Sequence, residues 1–433
     1  MTSNSLLPML SVAEFRTWCG SSNARVSVAT QVTEILDSVR TGGVAALLRE
    51  GERCGDLSKG EPWLWSRDDL NEVGESLPAA DLSVIDRVAN RIAAFARAQR
   101  ASIADFEHPI PGGRAGCRTR AVASVGCYVP GGLYPLFSSL LMTVIPARVA
   151  GVERVIVASP RPSRELLALA ARFEVDTVLG IGGAQAIAAL SYGVGVDAVD
   201  LIVGPGGKWV DQAKRQLAGS VRIDMPAGPS ELLVMADASS DPEVIATDLL
   251  AQAEHDTAAR VVLIGLDEGI VERVRAACTR QLESLPSRRV AEVALANSAA
   301  VVTRDLDEAA QLANMMASEH VSLQLRGARN FAGRLQNFGG LFVGPVAAEA
   351  FGDYGAGPNH VLPTAGAARS WSGLSVETFL RRQTWMEMDD DAHTDKEFAA
   401  LVRDTARLAR LEGLEAHARS AEARLARSGG RVP

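Results

Sequence analysis

The chain has 433 residues, of which 47% are apolar, 22% charged and only 5% aromatic, and its net charge is −8. That length exceeds what one compact core holds, so at least two lobes are expected, and the alanine, valine and leucine content favours helices on buried parallel strands over a β-sandwich. The acidic balance, with scattered arginines and those of Arg118–Arg120 too few to form a phosphate-reading stripe, argues against a nucleic-acid partner.

The opening MTSNSLLPMLSVAEF has no basic segment followed by an apolar core, so it does not read as a signal peptide. Up to Arg100 the chain reads as mainly helical, and PIPGGRAGCRTRAVASVGCYV then turns strand-like. The longest apolar stretch, 133–152, is interrupted by Pro135, Pro146 and Arg148 and is too broken to span a bilayer. From Val152 the pattern alternates: VERVIVASP as strand, SRELLALAARF as helix, VDTVLG as strand, GGAQAIAALSYG as helix, AVDLIVGP as strand, KWVDQAKRQLAG as helix. After IDMPAGPS it resumes with the strand ELLVMAD, the helix DPEVIATDLLAQAEH and the strand RVVLIGL, and continues to GLFVG. Short apolar strands between amphipathic helices are the mark of βαβ units, and the two blocks, split near Pro226–Pro229, predict two doubly wound lobes. From Ser375 the chain reads as helical and charged, ending in an Arg/Ala/Glu-rich helix to about Ser428. The five cysteines, Cys19, Cys54, Cys117, Cys127 and Cys278, are dispersed without a CxxC, which argues against disulfides and a cysteine zinc site and points to the cytoplasm.

Only six histidines occur: His108, His255, His320, His360, His393 and His417. QAEH puts Gln252 and His255 three apart at a predicted helix end, on one face, so that both can reach one ion. Imidazole nitrogen and amide oxygen are possible zinc donors, the amide the rarer; the plain alternative is a polar helix C-terminus with His255 meeting the dipole. In FGDYGAGPNH (351–360) the glycines permit close backbone approach and Asp353 offers a further ligand, against the alternative of an ordinary turn cluster. SEH sets Glu319 beside His320 between a helix and a strand, a carboxylate to activate water and an imidazole to move protons, against the alternative of a surface helix end. GIGGAQA (180–186) follows a strand and opens a helix, but Gln185 stands where a dinucleotide fingerprint has its third glycine. GPGGK (204–208) lacks the Ser or Thr of a Walker A loop. Both lie at C-terminal strand ends, where α/β sheets bind ligands. YVPGG (128–132) and MPAGPSE (225–231) add two turns at strand ends.

Taken in order, YVPGG, PARVAG, GGAQAIAAL, VGPG, IDMPAGPSE, DLLAQAEH, EHV, GDYGAGPNHVLPT, SGLSV and EGLEAH resemble the histidinol dehydrogenase family, from about Pro109 to the C-terminus and more loosely before it. The resemblance implies an α/β fold of two incomplete Rossmann-like, doubly wound lobes with small helical N- and C-terminal segments. The division expected is a helical segment 1–23, a first lobe of 24–127 with 231–375, a second lobe 128–230 and a C-terminal helical segment 376–433. It further implies zinc-dependent oxidation of L-histidinol to L-histidine through histidinaldehyde, with two NAD reduced, in an intertwined homodimer with composite sites. By motif, Gln252, His255, Asp353 and His417 resemble zinc ligands, Glu319 the residue that activates water and His320 the base for both hydride transfers. Ser230, His360 and Glu412 resemble substrate contacts, joined by His320 and the four zinc ligands, and Tyr128 and Gln185 resemble cofactor contacts. Two departures stand out: Gly207 replaces a usual cofactor-contacting Asn, and Ser318 an expected Pro. Two alternatives are a paralogue acting on another small polyol, such as a sulfonated propanediol, and a zinc-binding protein without catalysis. A sulfonate would want Arg or Lys where Glu412 stands, and the pair Glu319–His320 argues for catalysis.

Overall fold

Runs of Val, Ile and Leu in the strand segments build two six-stranded sheets in the computed structural model, which describes residues 6–21, 28–74, 76–131 and 136–425. Gly132 of YVPGG and Ser428 lie outside the described residues. Two compact units are formed, Met1–Arg100 with Val122–Phe379, and Ala101–Ala121 with Leu380–Pro433.

Both six-stranded sheets belong to the first unit. One runs Met9–Leu10, Ala299–Val302, Arg260–Gly265, Glu231–Ala236, His320–Gln324, Gly340–Val343, all parallel. Its faces are both covered, as a parallel sheet requires. Leu232, Val234 and Ala236 pack under Ile245, Ala246 and Leu249 of the helix Pro242–Ala253, while Leu233 and Met235 face Leu312 and Phe331. Strand order reverses between Glu231–Ala236 and His320–Gln324, the topological switch point of this sheet. The other sheet runs Leu64–Ser66, Thr177–Leu179, Arg154–Ala158, Ser124–Tyr128, Leu201–Val203, Arg222–Ile223, with only the first strand antiparallel. The two doubly wound lobes therefore appear as expected in kind.

Their boundaries differ from the expected ones. The described elements Leu64–Ser66 and Ser124–Tyr128, within the expected 24–127, do not join the sheet of 231–375. The helix Ala29–Cys54 carries an apolar stripe, Val32, Ile35, Leu36 and Val39, at helical spacing, and buries it against Ile187, Leu190 and Val210 of the other lobe. Leu64–Ser66 and Ser124–Tyr128 are strands of that same sheet. An apolar stripe specifies that a face is buried but not against which partner, so the sequence left the choice of lobe open.

The second unit corrects the all-helical reading of 376–433. Leu380–Met388 is a nine-residue strand, antiparallel to Gly113–Ala121, which in turn pairs with Phe106–Ile110. Trp385 lies opposite Gly116, where a Cβ would stand 2.7 Å from the indole, and Arg118 covers the same ring at 4.7 Å. Two helices follow, Lys396–Leu411 and Glu415–Glu422, interrupted where Gly413 takes φ 79°. Among the described residues no helix is long and apolar enough to cross a membrane.

Candidate active site

The helix Leu306–Met316 ends on Ala317 in the left-handed region (φ 50°), and this turn delivers Glu319 to the mouth of the strand that His320 begins. Both side chains are buried, which rules out a surface helix end. Parallel pairing sets His320 beside Leu232, two residues after Ser230, which is half-buried with its carbonyl accepting from Arg260 N–H at 3.0 Å. Glu319 Oε2 accepts the backbone N–H of Glu231 at 2.9 Å, and Glu231 itself is held by Arg260 at 3.4 Å and by Ala365 N–H at 3.0 Å.

His320 has two oxygen neighbours at one ring nitrogen. Nδ1 lies 3.1 Å from Gln252 Oε1 and 3.2 Å from Glu349 Oε1. With acceptors on that side, Nδ1 carries the hydrogen and donates, leaving the Nε2 lone pair free. Nε2 points toward Asp353, 3.9 Å from Oδ1, and Asp353 Oδ2 is 3.9 Å from His255 Nε2. His360, half-buried, donates Nδ1–H to the Asp353 carbonyl at 3.1 Å, so its Nε2 is also an acceptor. Gln252, His255, Glu319, His320, Asp353 and His360 are thus brought together from three distant stretches of chain. His255 itself sits past the end of the helix Pro242–Ala253, whose cap is Glu254, rather than on a shared helical face with Gln252; its side chain keeps 40% exposure.

Burial dominates the electrostatics. It raises Glu319 and Glu349 well above the ordinary carboxylate range and pushes Asp353 up to about 6. It lowers His320 to about 3, helped by His360 and His255, and His360 to about 4, so both imidazoles stand neutral. Among the described residues, neither Glu349 nor Asp353 has an arginine or lysine partner; their ion-pair neighbours are histidines. Buried carboxylates facing neutral imidazoles, without a cationic side chain, call for a cation of another kind. His320, Glu349 and Asp353 each offer a donor atom within 4.8 Å of the others, and with His255 and Gln252 the nitrogen and oxygen donors fit a zinc ion.

Glu349 escaped the sequence reading. It stands four residues before Asp353 on the helix Glu349–Tyr354, hence on the same face, and that Glu-x-x-x-Asp spacing was the available signal. Glu412 and His417 are exposed on the second unit, at the cap of one helix and in the first turns of the next.

The candidate cofactor residues meet at the C-terminal ends of the other sheet's strands, as expected. Tyr128 ends its strand and accepts Gly183 N–H on its hydroxyl at 3.1 Å, and Gln185 donates to Asp56 at 2.9 Å. The turn before Gly207 is clamped by a buried pair, Lys214 and Asp224. Gly204 donates to Asp224 at 2.7 Å and accepts from Lys214 at 3.0 Å. Gly204 has φ 110°, and a Cβ there would lie 2.2 Å from the Tyr128 carbonyl, so only glycine lets the turn lie on Tyr128. Gly207 caps the helix Lys208–Leu217 with nothing within 4 Å of an added Cβ.

Two doubly wound sheets, one of which carries a buried histidine, buried carboxylates and donors that fit a metal ion, define an α/β protein with a candidate metal centre. A family profile described as histidinol dehydrogenase matches residues 20–425. Histidinol dehydrogenase of Ruegeria pomeroyi is 44% identical over 92% of this chain and 92% of its own, and that of Thermus thermophilus 43% over 91% and 93%. The crystal structure of histidinol dehydrogenase from Elizabethkingia anophelis superposes with a TM-score of 0.88 at 28% identity, covering 97% of this chain and 98% of its own. The chain belongs to the histidinol dehydrogenase family, and is an NAD-dependent oxidoreductase of the zinc-using kind.

Proposed function

We propose that the chain oxidises L-histidinol to L-histidine through histidinaldehyde, with two NAD reduced and with Glu319 and His320 as the groups that act on the substrate. The observation that carries this reading is the neutral, buried His320 with Nδ1 held by Gln252 and Glu349 and Nε2 facing the donor cluster. Nε2 takes the hydroxyl proton, and takes one again from the hydrated aldehyde; NAD, when bound, would supply the hydride acceptor for both oxidations. Glu319, next to His320 and held by Glu231 N–H, accepts a hydrogen from the water that adds to the aldehyde. Zinc, held by Gln252, His255, Asp353 and His417, would supply Lewis-acid grip on the substrate's imidazole and amine. Ser230 and His360 border this space and orient the substrate, His360 through Nε2. Tyr128, Gln185 and the backbone at Gly207 would hold the cofactor. Mixing the zinc-loaded protein with NAD and L-histidinol should raise NADH absorbance to two equivalents per histidinol; no rise would refute the reading.

Gly207 gives a graded prediction. Asn in its place would offer an amide to the nucleotide, has open space and suits a helix N-cap. Gly207→Asn is expected to lower the Michaelis constant for NAD several-fold, the worth of about one hydrogen bond, without changing kcat or the preferred alcohol. A changed alcohol preference at constant NAD affinity would move Gly207 to the substrate pocket.

Glu412 and His417 are exposed on a unit of their own, and we assign them to the site of a second copy, in a cytoplasmic homodimer with composite sites. Mixing inactive His320→Asn with inactive His417→Ala should restore activity through hybrid dimers, each with one intact site. No recovery, with subunit exchange verified by mass, would mean that each site is built from one chain.

A further inference from the structure

Glu231 serves two places at once. Its backbone N–H holds Glu319 Oε2 at 2.9 Å, while the residue also lines a cavity of about 160 Å³ that the catalytic groups do not line. The charged walls of that cavity are Arg16, Arg260, Arg369 and Glu231, and Met315 and Met316 add apolar surface. Among the described residues Glu231 is the one carboxylate in the walls, against three guanidiniums. The cavity therefore carries a surplus of two positive charges, and arginines stay charged at any working pH.

Two of the three guanidiniums are fixed in place. Arg369 donates Nη1–H to the Gly366 carbonyl at 3.3 Å and Nη2–H to the Met315 carbonyl, so carbonyls orient it and leave its charge uncancelled. Gly366 takes φ 78°, and a Cβ there would stand 2.7 Å from Arg369 Nη1, so glycine lets the guanidinium lie on the turn. Arg260 lies over the Trp18 ring at 3.9 Å and meets Glu231 Oε1 at 3.4 Å, longer than a good charge-assisted bond. Burial pushes the Cys19 thiol up to about 11, and Arg260 and Arg369 both pull against it, so their fields overlap inside the cavity.

We propose that this cavity binds a small dianion of the phosphate type, and that its occupant loosens the support of Glu319. A dianion balances the surplus of two charges, where a monocarboxylate leaves one over. Phosphate oxygens match the forked N–H groups of arginine, and a cavity of this size suits an inorganic oxyanion better than a nucleotide. An anion on Arg260 competes with Glu231 for the same donors. Glu231 then keeps Ala365 N–H, at 3.0 Å, but loses the cation that ties its side chain from the cavity. The backbone N–H that holds Glu319 belongs to the same residue, so occupancy is felt at Glu319. The binding stands by itself; the effect on catalysis rests on Glu319 activating the water.

Arg16→Gln combined with Arg369→Gln removes the surplus charge at two exposed residues and should leave the melting temperature and the rates without phosphate unchanged. Titration calorimetry of the zinc-loaded protein with inorganic phosphate should show binding that is at least tenfold weaker in the double variant, the worth of lost charged hydrogen bonds. Acetate should not bind there. Phosphate should slow L-histidinaldehyde oxidation several-fold in the parent, spare alcohol oxidation, and leave the double variant unaffected. Equal phosphate affinity in parent and double variant, or no binding to the parent, overturns the site; equal slowing in the two overturns the coupling. Failure of the catalytic reading shows differently: Glu319→Gln would then oxidise the aldehyde at the parent rate, while phosphate binding still depended on Arg16 and Arg369.

Discussion

His320→Asn is expected to cut the oxidation of both L-histidinol and L-histidinaldehyde by roughly 10²–10⁴-fold, the usual worth of a positioned general base. Asparagine is the informative replacement because its amide N–H can still donate to Glu349, so the buried carboxylate is not stranded and the fold is spared. What it lacks is a nitrogen lone pair where Nε2 stands. Glu319→Gln is expected to behave differently. Its side-chain oxygen still accepts Glu231 N–H, so the geometry survives, but a neutral amide cannot draw a proton from water. Alcohol oxidation should stay within a few-fold of the parent, while aldehyde oxidation falls in the same range as for a lost base. Separate steady-state assays on the two substrates decide this. Equal losses for both substrates in both variants would contradict the division of labour between Glu319 and His320.

The second large effect is expected from His255→Ala: loss of bound zinc, and with it of activity. The side chain is 40% exposed, so truncation removes little packing, unlike a change at buried Asp353 or Gln252. Outer partners of metal ligands are worth roughly 10–100-fold in affinity, and removing a ligand itself should exceed that. The remaining cluster should then keep its fold, with the carboxyl of Asp353 protonated more readily because His255 holds it down. Metal analysis after gel filtration, with circular dichroism to verify folding, is the measurement. Full zinc retention in a folded variant would remove His255 from the ligand set.

The chemistry of the site was legible in short strings because reactive residue types are rare here: six histidines in the whole chain, of which His255, His320 and His360 lie in QAEH, SEH and GDYGAGPNH. SEH, QAEH and GDYGAGPNH converge in space as their residue types suggested. Glu349 was not legible, since one glutamate among many carries no mark until burial strips its water and places it 3.2 Å from His320.

By itself the sequence determined the alternation of strands and helices from Val152 onward, the glycine turns at strand ends and the donors for a metal, because periodicity and residue chemistry are local properties. Tertiary structure decided the rest. It sent Ala29–Cys54 and Leu64–Ser66 to the lobe of Tyr128, because burial of an apolar stripe is satisfied by any complementary face and only the whole packing selects one. It made Leu380–Met388 a strand, because Gly116 leaves room for Trp385 across an antiparallel pair that no local pattern announces. And it buried His320 so that its imidazole stands neutral beside Gln252 and Glu349, 68 and 29 residues away in the chain, a property that belongs to this packing rather than to histidine itself.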